Sequence, residues 1–287
     1  MHNTRLNMWH ARDIIAVVQL AFYIPAALLA TLVCFRHGFI SVSGWLYTIA
    51  LCIVRIGGAI CQFLLHINQT RGLVETTLVF DSIGLCPLLM ATLGILGRSI
   101  SSADTKSSYI ATPKSFLPIQ LIILTSLILG IIGATTPHLQ PHNIIEFNST
   151  AKASVIFYIV AYAGILITYS FSIPHARLLP RQERKISLAL LVALPFIFVR
   201  LAYAACAIFM HTRVFSVVRG NEAVYGGMAI VEEFIVIAMY IALGFALESV
   251  PEVGRETNPA QGNGRRKERG KERRHSKDGF EMRSLRG

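Results

Sequence analysis

The sequence VRIGGAICQFLLH, residues 54–66, is an apolar run that holds an arginine near its start and a histidine at its end. A similar run, VRLAYAACAIFMH, returns at residues 199–211. The valine, arginine, alanine, cysteine and histidine of the two runs coincide. An arginine that is placed twice in such surroundings raises the question of what environment holds it.

The composition indicates a lipid environment. The chain has 287 residues, of which 53% are hydrophobic and only 15% are charged, whereas soluble domains have about 25% charged residues. Seven apolar stretches are each long enough to cross a hydrocarbon core of roughly 30 Å. We therefore predict an all-α membrane protein, a seven-transmembrane helix bundle. The predicted spans are 14–35, 44–65, 73–97, 115–135, 153–174, 186–210 and 224–247.

The two ends of the sequence differ in character. The first 13 residues lack a cleavage site of small residues, so we expect an uncleaved first helix rather than a signal peptide. Residues 1–250 are predicted to form the transmembrane domain. Residues 251–287 are rich in arginine, lysine and glutamate, and we expect a disordered basic cytosolic tail. Its positive charge favours contact with membrane lipids and is poor evidence for nucleic-acid binding.

The distribution of basic residues predicts the orientation. Most of the 27 lysines and arginines lie in the tail and in the connections after spans 1, 3 and 5, which places the N-terminus outside and the C-terminus in the cytosol. Both Asn-x-Ser/Thr sequons, at Asn68 and Asn148, then lie outside, and Asn148 is a candidate glycosylation site. We predict a multi-pass protein of the plasma membrane or an endomembrane.

The sequence contains no recognisable metal or cofactor motif. All five cysteines fall within predicted spans, and no cysteine–histidine set has zinc spacing. Phosphate-binding glycine loops and nucleophile elbows are likewise missing from the sequence. We therefore predict neither a metal nor a cofactor.

Charged residues inside the spans need partners, because an ionisable group at the bilayer centre costs about 2.5–3.5 kcal/mol on insertion scales. Arg55 and Arg200 lie at similar depth in spans 2 and 6. The following spans bring Asp81 and the pair Glu232-Glu233 to a similar level. We predict ion pairs between Arg55 and Asp81, and between Arg200 and either Glu232 or Glu233.

Other polar residues share helix faces with these charges. Gln62 follows Arg55 at a spacing of seven residues, and Tyr203 follows Arg200 at a spacing of three, so each lies on the face of its arginine. A tyrosine stripe runs along span 5. We predict that these faces converge on a polar, aromatic-lined cavity. The candidate ligand-binding or polar-core residues are Arg55, Gln62, Asp81, Arg200, Tyr203, Glu232 and Glu233.

The repeated arginine run also predicts an architecture. With span 4 as a connector, spans 1–3 and 5–7 have the same orientation, which gives a parallel three-plus-one-plus-three repeat. Within the first run, Gly57 and Gly58 are expected to let a neighbouring helix approach closely.

Three sequence motifs resemble an uncharacterised family of seven-span membrane proteins from filamentous fungi. They are FRHGF at residues 35–39, RIGGAxxQ at 55–62 and IGLCPLLMATLG at 83–94. The resemblance covers roughly residues 10–250. It implies the fold and a membrane location, and it has no activity to transfer.

Three classes of function stay open. The first is binding or transport of a small amphipathic or lipid-soluble molecule in the cavity. The second is an intramembrane enzyme, such as a terpene-cyclase-like isomerase, in which Asp81 or Glu233 is the general acid. The third is a membrane scaffold without a ligand.

Overall fold

The apolar stretches of the sequence fold as α-helices. The structure, a computed structural model, describes residues 2–37, 43–67, 71–103, 116–135, 138–139, 145–146, 148–176, 181–209 and 230–247. Seven helices lie within those ranges. They are α1 (His2–His37), α2 (Ser43–Ile67), α3 (Arg71–Ala103), α4 (Leu117–Thr135), α5 (Ser149–Ala176), α6 (Arg181–Phe209) and α7 (Glu232–Ala246).

Six of these helices, α1 to α6, are long and apolar enough to cross a membrane. Helices suit this environment because lipid offers no hydrogen bonds to the backbone, and a helix pairs its own N–H and C=O groups. The predicted multi-pass helical architecture is therefore confirmed. Helix α7 has 15 residues, or about 22 Å at the helical rise of roughly 1.5 Å per residue. The seventh span, the repeat and the orientation of the termini stay predictions.

The faces of α1 show how the helices meet lipid. Val17, Leu28 and Phe35 are exposed, whereas Gln19 and Tyr23 are buried. In a soluble protein such an exposed apolar face would be a liability. In a bilayer it contacts acyl chains, while polar side chains turn towards the other helices.

Helix α3 is the most enclosed of the candidate spans. In its apolar 18-residue stretch 67% of the residues are buried, against 28% in the corresponding stretches of α1, α2 and α4. It packs against α2, α4, α5 and α6. Helix α7 packs against α1, α2 and α6. A charged residue on α3 can therefore meet partners from several helices.

Gly57 allows α2 and α3 to pack closely, as the sequence predicts. A Cβ atom at Gly57 would lie 2.9 Å from the Phe80 ring atom Cε1, which is too close for two carbon atoms without a shift. Phe80 directly precedes Asp81, so this contact also fixes the part of α3 that carries the acid.

Hydrogen bonds tie the helices together away from the charges. The Trp45 indole Nε1 donates to the Tyr240 carbonyl oxygen at 2.9 Å. The Tyr240 hydroxyl and Thr92 Oγ1 lie 2.8 Å apart. Both bonds are buried, and together they link α2, α3 and α7.

Between α4 and α5, strand β1 (His138–Leu139) pairs in antiparallel orientation with strand β2 (Ile145–Glu146). Asn148 then precedes α5, and its Oδ1 accepts a hydrogen bond from the Ser149 N–H at 2.7 Å. Its glycosylation stays a prediction. Asn68 and the tail from residue 251 lie outside the described residues.

Candidate functional site

Arg55 of α2 is held by Glu233 of α7 through two hydrogen bonds. Nε donates to Oε1 at 2.7 Å and Nη2 donates to Oε2 at 2.5 Å. The side chains are 7% and 1% exposed. Two parallel bonds of this kind match the planar guanidinium to the planar carboxylate, which is the strongest geometry available to such a pair.

Asp81 of α3 joins this pair to Arg200 of α6. Its Oδ1 atom accepts from Arg55 Nη1 at 3.2 Å and from Arg200 Nη2 at 3.1 Å. Arg200 Nε lies 3.9 Å from Glu233 Oε2. We call these four side chains, from α2, α3, α6 and α7, the ion network. It consists of Arg55, Asp81, Arg200 and Glu233.

The ion network is electrically balanced, because it holds two cations and two anions. Removing charges from water costs several kcal/mol per ion, and only good geometry with further hydrogen bonds compensates. A buried ion that loses its closest partner costs about 3–5 kcal/mol, and the cost is smaller for an ion that keeps another hydrogen-bonded partner of opposite charge. The network links the four helices α2, α3, α6 and α7.

Gly84 makes room for the Arg55 guanidinium against α3. A Cβ atom at this position would lie 2.8 Å from Arg55 Nη2 and 2.9 Å from Cζ. Gly84 follows Asp81 by three residues, so one face of α3 supplies both the carboxylate and the space beside it. This role of Gly84 was not predicted from the sequence, although its spacing of three residues from Asp81 was a usable signal.

The predicted pairs are present in part. Arg55 does contact Asp81, but its closest partner is Glu233, which the sequence assigned to Arg200. Arg200 is hydrogen-bonded to Asp81 instead, and its contact with Glu233 is the longest of the network. The real arrangement is one shared network rather than two separate pairs.

Glu232 is not part of these contacts. It lies beside Glu233 in the first turn of α7 and is half-buried. Its Oε2 atom is buried and has no hydrogen-bond partner among the described residues. Adjacent residues of a helix point in different directions, and only Glu233 enters the network.

A cavity of about 60 Å³ lies between α3, α4, α5 and α6, beside Arg200. Its walls are mostly apolar, and its polar lining comes from three of those helices, α3, α5 and α6. The polar lining residues are Asp81, Ser82, Ser154, Tyr158, Arg200 and Tyr203. The space is small but sufficient for a few water molecules or one polar group, since a water needs roughly 10–15 Å³ on the same measure.

Several hydrogen-bond donors beside this cavity are unused. Arg200 is 1% exposed, and its Nε and Nη1 atoms have no hydrogen-bond partner in the part of the chain that the structure describes. The same holds within the described ranges for the hydroxyl of Tyr158, a buried lining residue. The Arg200 guanidinium carbon lies 5.9 Å from the centre of the Tyr203 ring, within reach of a cation–π contact. Buried donors without acceptors are costly, so this site needs an explanation.

The other tyrosines of the predicted stripe on α5 have a structural role. The Tyr162 hydroxyl donates to the Leu194 carbonyl at 2.9 Å, and the Tyr169 hydroxyl donates to the Ser187 carbonyl at 3.0 Å. Both bonds fasten α5 to α6. Gln62, two turns from Arg55 on α2, is half-buried and is not among the described residues that line the cavity.

The carboxylates of the network are poorly placed to act as general acids. Glu233 uses both oxygens to accept hydrogen bonds from Arg55, and Asp81 accepts from two arginines. An ionised carboxylate can only accept hydrogen bonds and has no proton to give. The geometry therefore offers no support for Asp81 or Glu233 as the acid of an intramembrane enzyme.

Comparison with known proteins identifies a family but no activity. A comparison with curated proteins gave no match. The model of a family described as a domain of unknown function, DUF7702, matches residues 9–250. This confirms the predicted resemblance to an uncharacterised family, while the origin in filamentous fungi stays a prediction. Because the match spans most of the 287-residue sequence, the chain belongs to this family of proteins with a domain of unknown function.

Proposed function

We propose that this membrane protein binds a small amphipathic molecule in the cavity beside Arg200. The observation that carries the proposal is the set of buried, unused donors on Arg200 and Tyr158 at the edge of a partly open cavity. A buried donor that is left unsatisfied costs about 1–3 kcal/mol. A polar group of a ligand in the cavity would remove that cost.

The shape of the cavity supports an amphipathic ligand. Arg200 and Tyr158 provide a polar end. Other parts of the lining are apolar, among them Ala151, near the start of α5, and Ile208, near the end of α6. Small-molecule sites commonly combine apolar walls with a few polar groups that fix orientation.

Ala207 offers a way to test binding. It lines the cavity, so Ala207→Phe should fill the space, while Ala205→Phe on the same helix is a matched control at a position that does not line it. Full-length wild type and both variants are purified from lipid membranes, and small molecules are extracted and compared by mass spectrometry. A bound molecule should accompany wild type and Ala205→Phe and be depleted from Ala207→Phe.

Ordered water is the alternative occupant, and the same experiment separates the two. If no compound distinguishes Ala207→Phe from the control, while both variants remain folded, the cavity holds only water and the proposal fails. If the compound is lost equally from both variants, it reports altered packing and also counts against the proposed site.

Transport is a second candidate, which the arrangement of helices favours. In the proposed repeat, α1 corresponds to α5, α2 to α6 and α3 to α7. Contacts between helices follow this correspondence: α2 packs on α3 as α6 packs on α7, α3 packs on α6 as α7 packs on α2, and α1 packs on α7 as α5 packs on α3. Such pairing supports the parallel repeat and α7 as a seventh span. Repeat interfaces near the bilayer midplane are where many transporters bind substrate. Deleting the gene should then move the co-purifying compound between cells and medium, and an unchanged distribution would exclude transport.

The proposed topology places the N-terminus and Asn148 outside and the C-terminus in the cytosol. A glycosidase should increase the gel mobility of wild type but not of Asn148→Gln. A C-terminal tag should be reached by protease only after the membrane is opened. Cleavage of the tag on intact cells would indicate the opposite orientation.

A further inference from the structure

We infer that the molecule bound beside Arg200 presents an uncharged acceptor oxygen to the protein, as a ketone, ester, lactone or amide does, and not a carboxylate. This inference rests on the proposed function and names the chemical class of its ligand. It follows from three properties of the site: the kind of hydrogen-bonding group left unused, the local charge balance and the available volume.

The unused groups are donors. Arg200 Nε and Nη1 carry N–H bonds and no lone pair that can accept, and the Tyr158 hydroxyl can donate as well. The Arg200 Nη2 atom is already bonded to Asp81. The complementary group on a ligand is therefore an acceptor. A carbonyl oxygen has two lone pairs, so it is able to accept from the guanidinium and the phenol at the same time.

The charge balance argues against an anion. Within the ion network, Arg55 and Arg200 are matched by Asp81 and Glu233. Glu232 lies next in the chain to Glu233 and adds either no charge or a further negative one. A bound carboxylate would thus leave an uncompensated negative charge among buried groups, which costs several kcal/mol. An uncharged oxygen meets the same donors without that cost.

The volume sets the size of what is enclosed. About 60 Å³ is enough for a small functional group and the first atoms of an apolar chain. The remainder of the ligand would extend out of this volume, past apolar lining residues such as Ala151 and Ile208. The recognised part is consequently the oxygen and its immediate neighbours, and the rest of the ligand is held mainly by apolar contact.

Three probes of equal chain length separate the chemical classes: nonanone is an uncharged acceptor, nonanoate is an anion and nonane has no acceptor. The full-length protein in nanodiscs of an ether-linked phosphatidylcholine, which has no ester carbonyl, is titrated with each probe, and the shift of its thermal unfolding midpoint gives an affinity. Nonanone should bind most tightly, because a site built around donors discriminates against a molecule that lacks the acceptor.

A matched pair of tyrosine variants on α5 locates the contact. Tyr158→Phe should weaken nonanone binding by roughly fivefold, the value of one ordinary hydrogen bond. Tyr162→Phe removes a hydroxyl that is already used by Leu194 and should leave the affinity unchanged. Each variant is compared with its own unliganded midpoint, so a change in stability does not affect the readout.

Several results would overturn the inference. They are tighter binding of nonanoate than of nonanone, equal binding of nonane and nonanone, equal weakening by the two tyrosine variants, or no shift with any probe. The proposed function is judged separately by the compounds extracted from wild type and Ala207→Phe. A compound that co-purifies and carries a carboxylate would keep the binding function and reject the uncharged acceptor.

Discussion

Arg55 and Arg200 occupy the same place in two similar runs of sequence, yet their surroundings differ. Arg55 makes two short bonds to Glu233 and a third to Asp81, and Gly84 lets its guanidinium lie against α3. Arg200 donates to Asp81 through Nη2. Its Nε and Nη1 atoms make no hydrogen bond within the described structure, and Nε has only the 3.9 Å contact with Glu233. One arginine closes a contact between helices, whereas the other borders a cavity.

The difference follows from the acids that the arginines meet. Glu233 has one methylene group more than Asp81, and both of its oxygens reach Arg55. Asp81 offers a single oxygen, which it shares between two guanidinium groups. A repeated motif can therefore be saturated in one copy and left open in the other. The open copy is the better candidate for a site.

The largest effect is expected for Arg55→Met. It removes three hydrogen bonds and leaves Glu233 buried with only the 3.9 Å contact to Arg200. The free energy of unfolding in mixed micelles should fall by about 3–5 kcal/mol. Adding Glu233→Leu should restore much of it, because an apolar pair of similar volume can replace a buried ion pair. A double variant no more stable than the single one would contradict this account of the network.

A smaller loss is expected for Arg200→Met. Asp81 keeps its bond from Arg55, and the unused N–H groups of Arg200 disappear with the side chain. One hydrogen bond to a charged group is worth about 1.5–3 kcal/mol, and the same denaturation experiment measures it. If Arg200→Met lowers the free energy of unfolding as much as Arg55→Met or more, the proposed difference between the two arginines is wrong.

Gly84→Ala tests the close fit of Arg55 against α3. The new Cβ atom would lie 2.8 Å from Arg55 Nη2. Because hydrogen bonds hold the guanidinium in place, the free energy of unfolding should fall by about 1–3 kcal/mol. Gly97→Ala on the same helix is the control, since its nearest neighbour is Phe116 Cε2 at 3.9 Å. It should gain roughly 0.5–1 kcal/mol from helix propensity. Equal effects at the two glycines would remove the steric argument.

The smallest effect separates two tyrosines on α5. Tyr162→Phe loses the bond to the Leu194 carbonyl and should lower the free energy of unfolding by about 0.5–1.5 kcal/mol. Tyr158→Phe removes a hydroxyl that has no partner among the described residues, so the unliganded protein should be as stable as wild type or slightly more stable. The opposite ranking would show that Tyr158 already has an acceptor.

The helices were the most predictable feature, because only apolar runs of sufficient length can cross a bilayer. The contact between Arg55 and Asp81 was also predictable, since these residues lie at similar depth on consecutive helices. Depth alone does not say which helices are neighbours around the bundle. The short bonds from Arg55 to Glu233 depend on contact between α2 and α7, which are far apart in the sequence.

The position of the cavity was less predictable for the same reason. A stripe of tyrosines on α5 indicates one polar face but not what that face meets. The hydroxyls of Tyr162 and Tyr169 donate hydrogen bonds to the backbone of α6, whereas Tyr158 lines the cavity. The difference is set by packing among four helices, which no periodicity within one helix records.

The order in which the helices are synthesised determines when the oxygen of Asp81 meets each of its two arginines. Helices α2 and α3 are synthesised before α6 and α7, so Arg55 and Asp81 are available to each other before Glu233 exists. A pair of opposite charges that forms at this stage would be neutral, which would reduce the cost of inserting either charge. When α6 arrives, Arg200 meets an acceptor that is already in place. The chain thus carries a partner for its second arginine from the first half of its own synthesis.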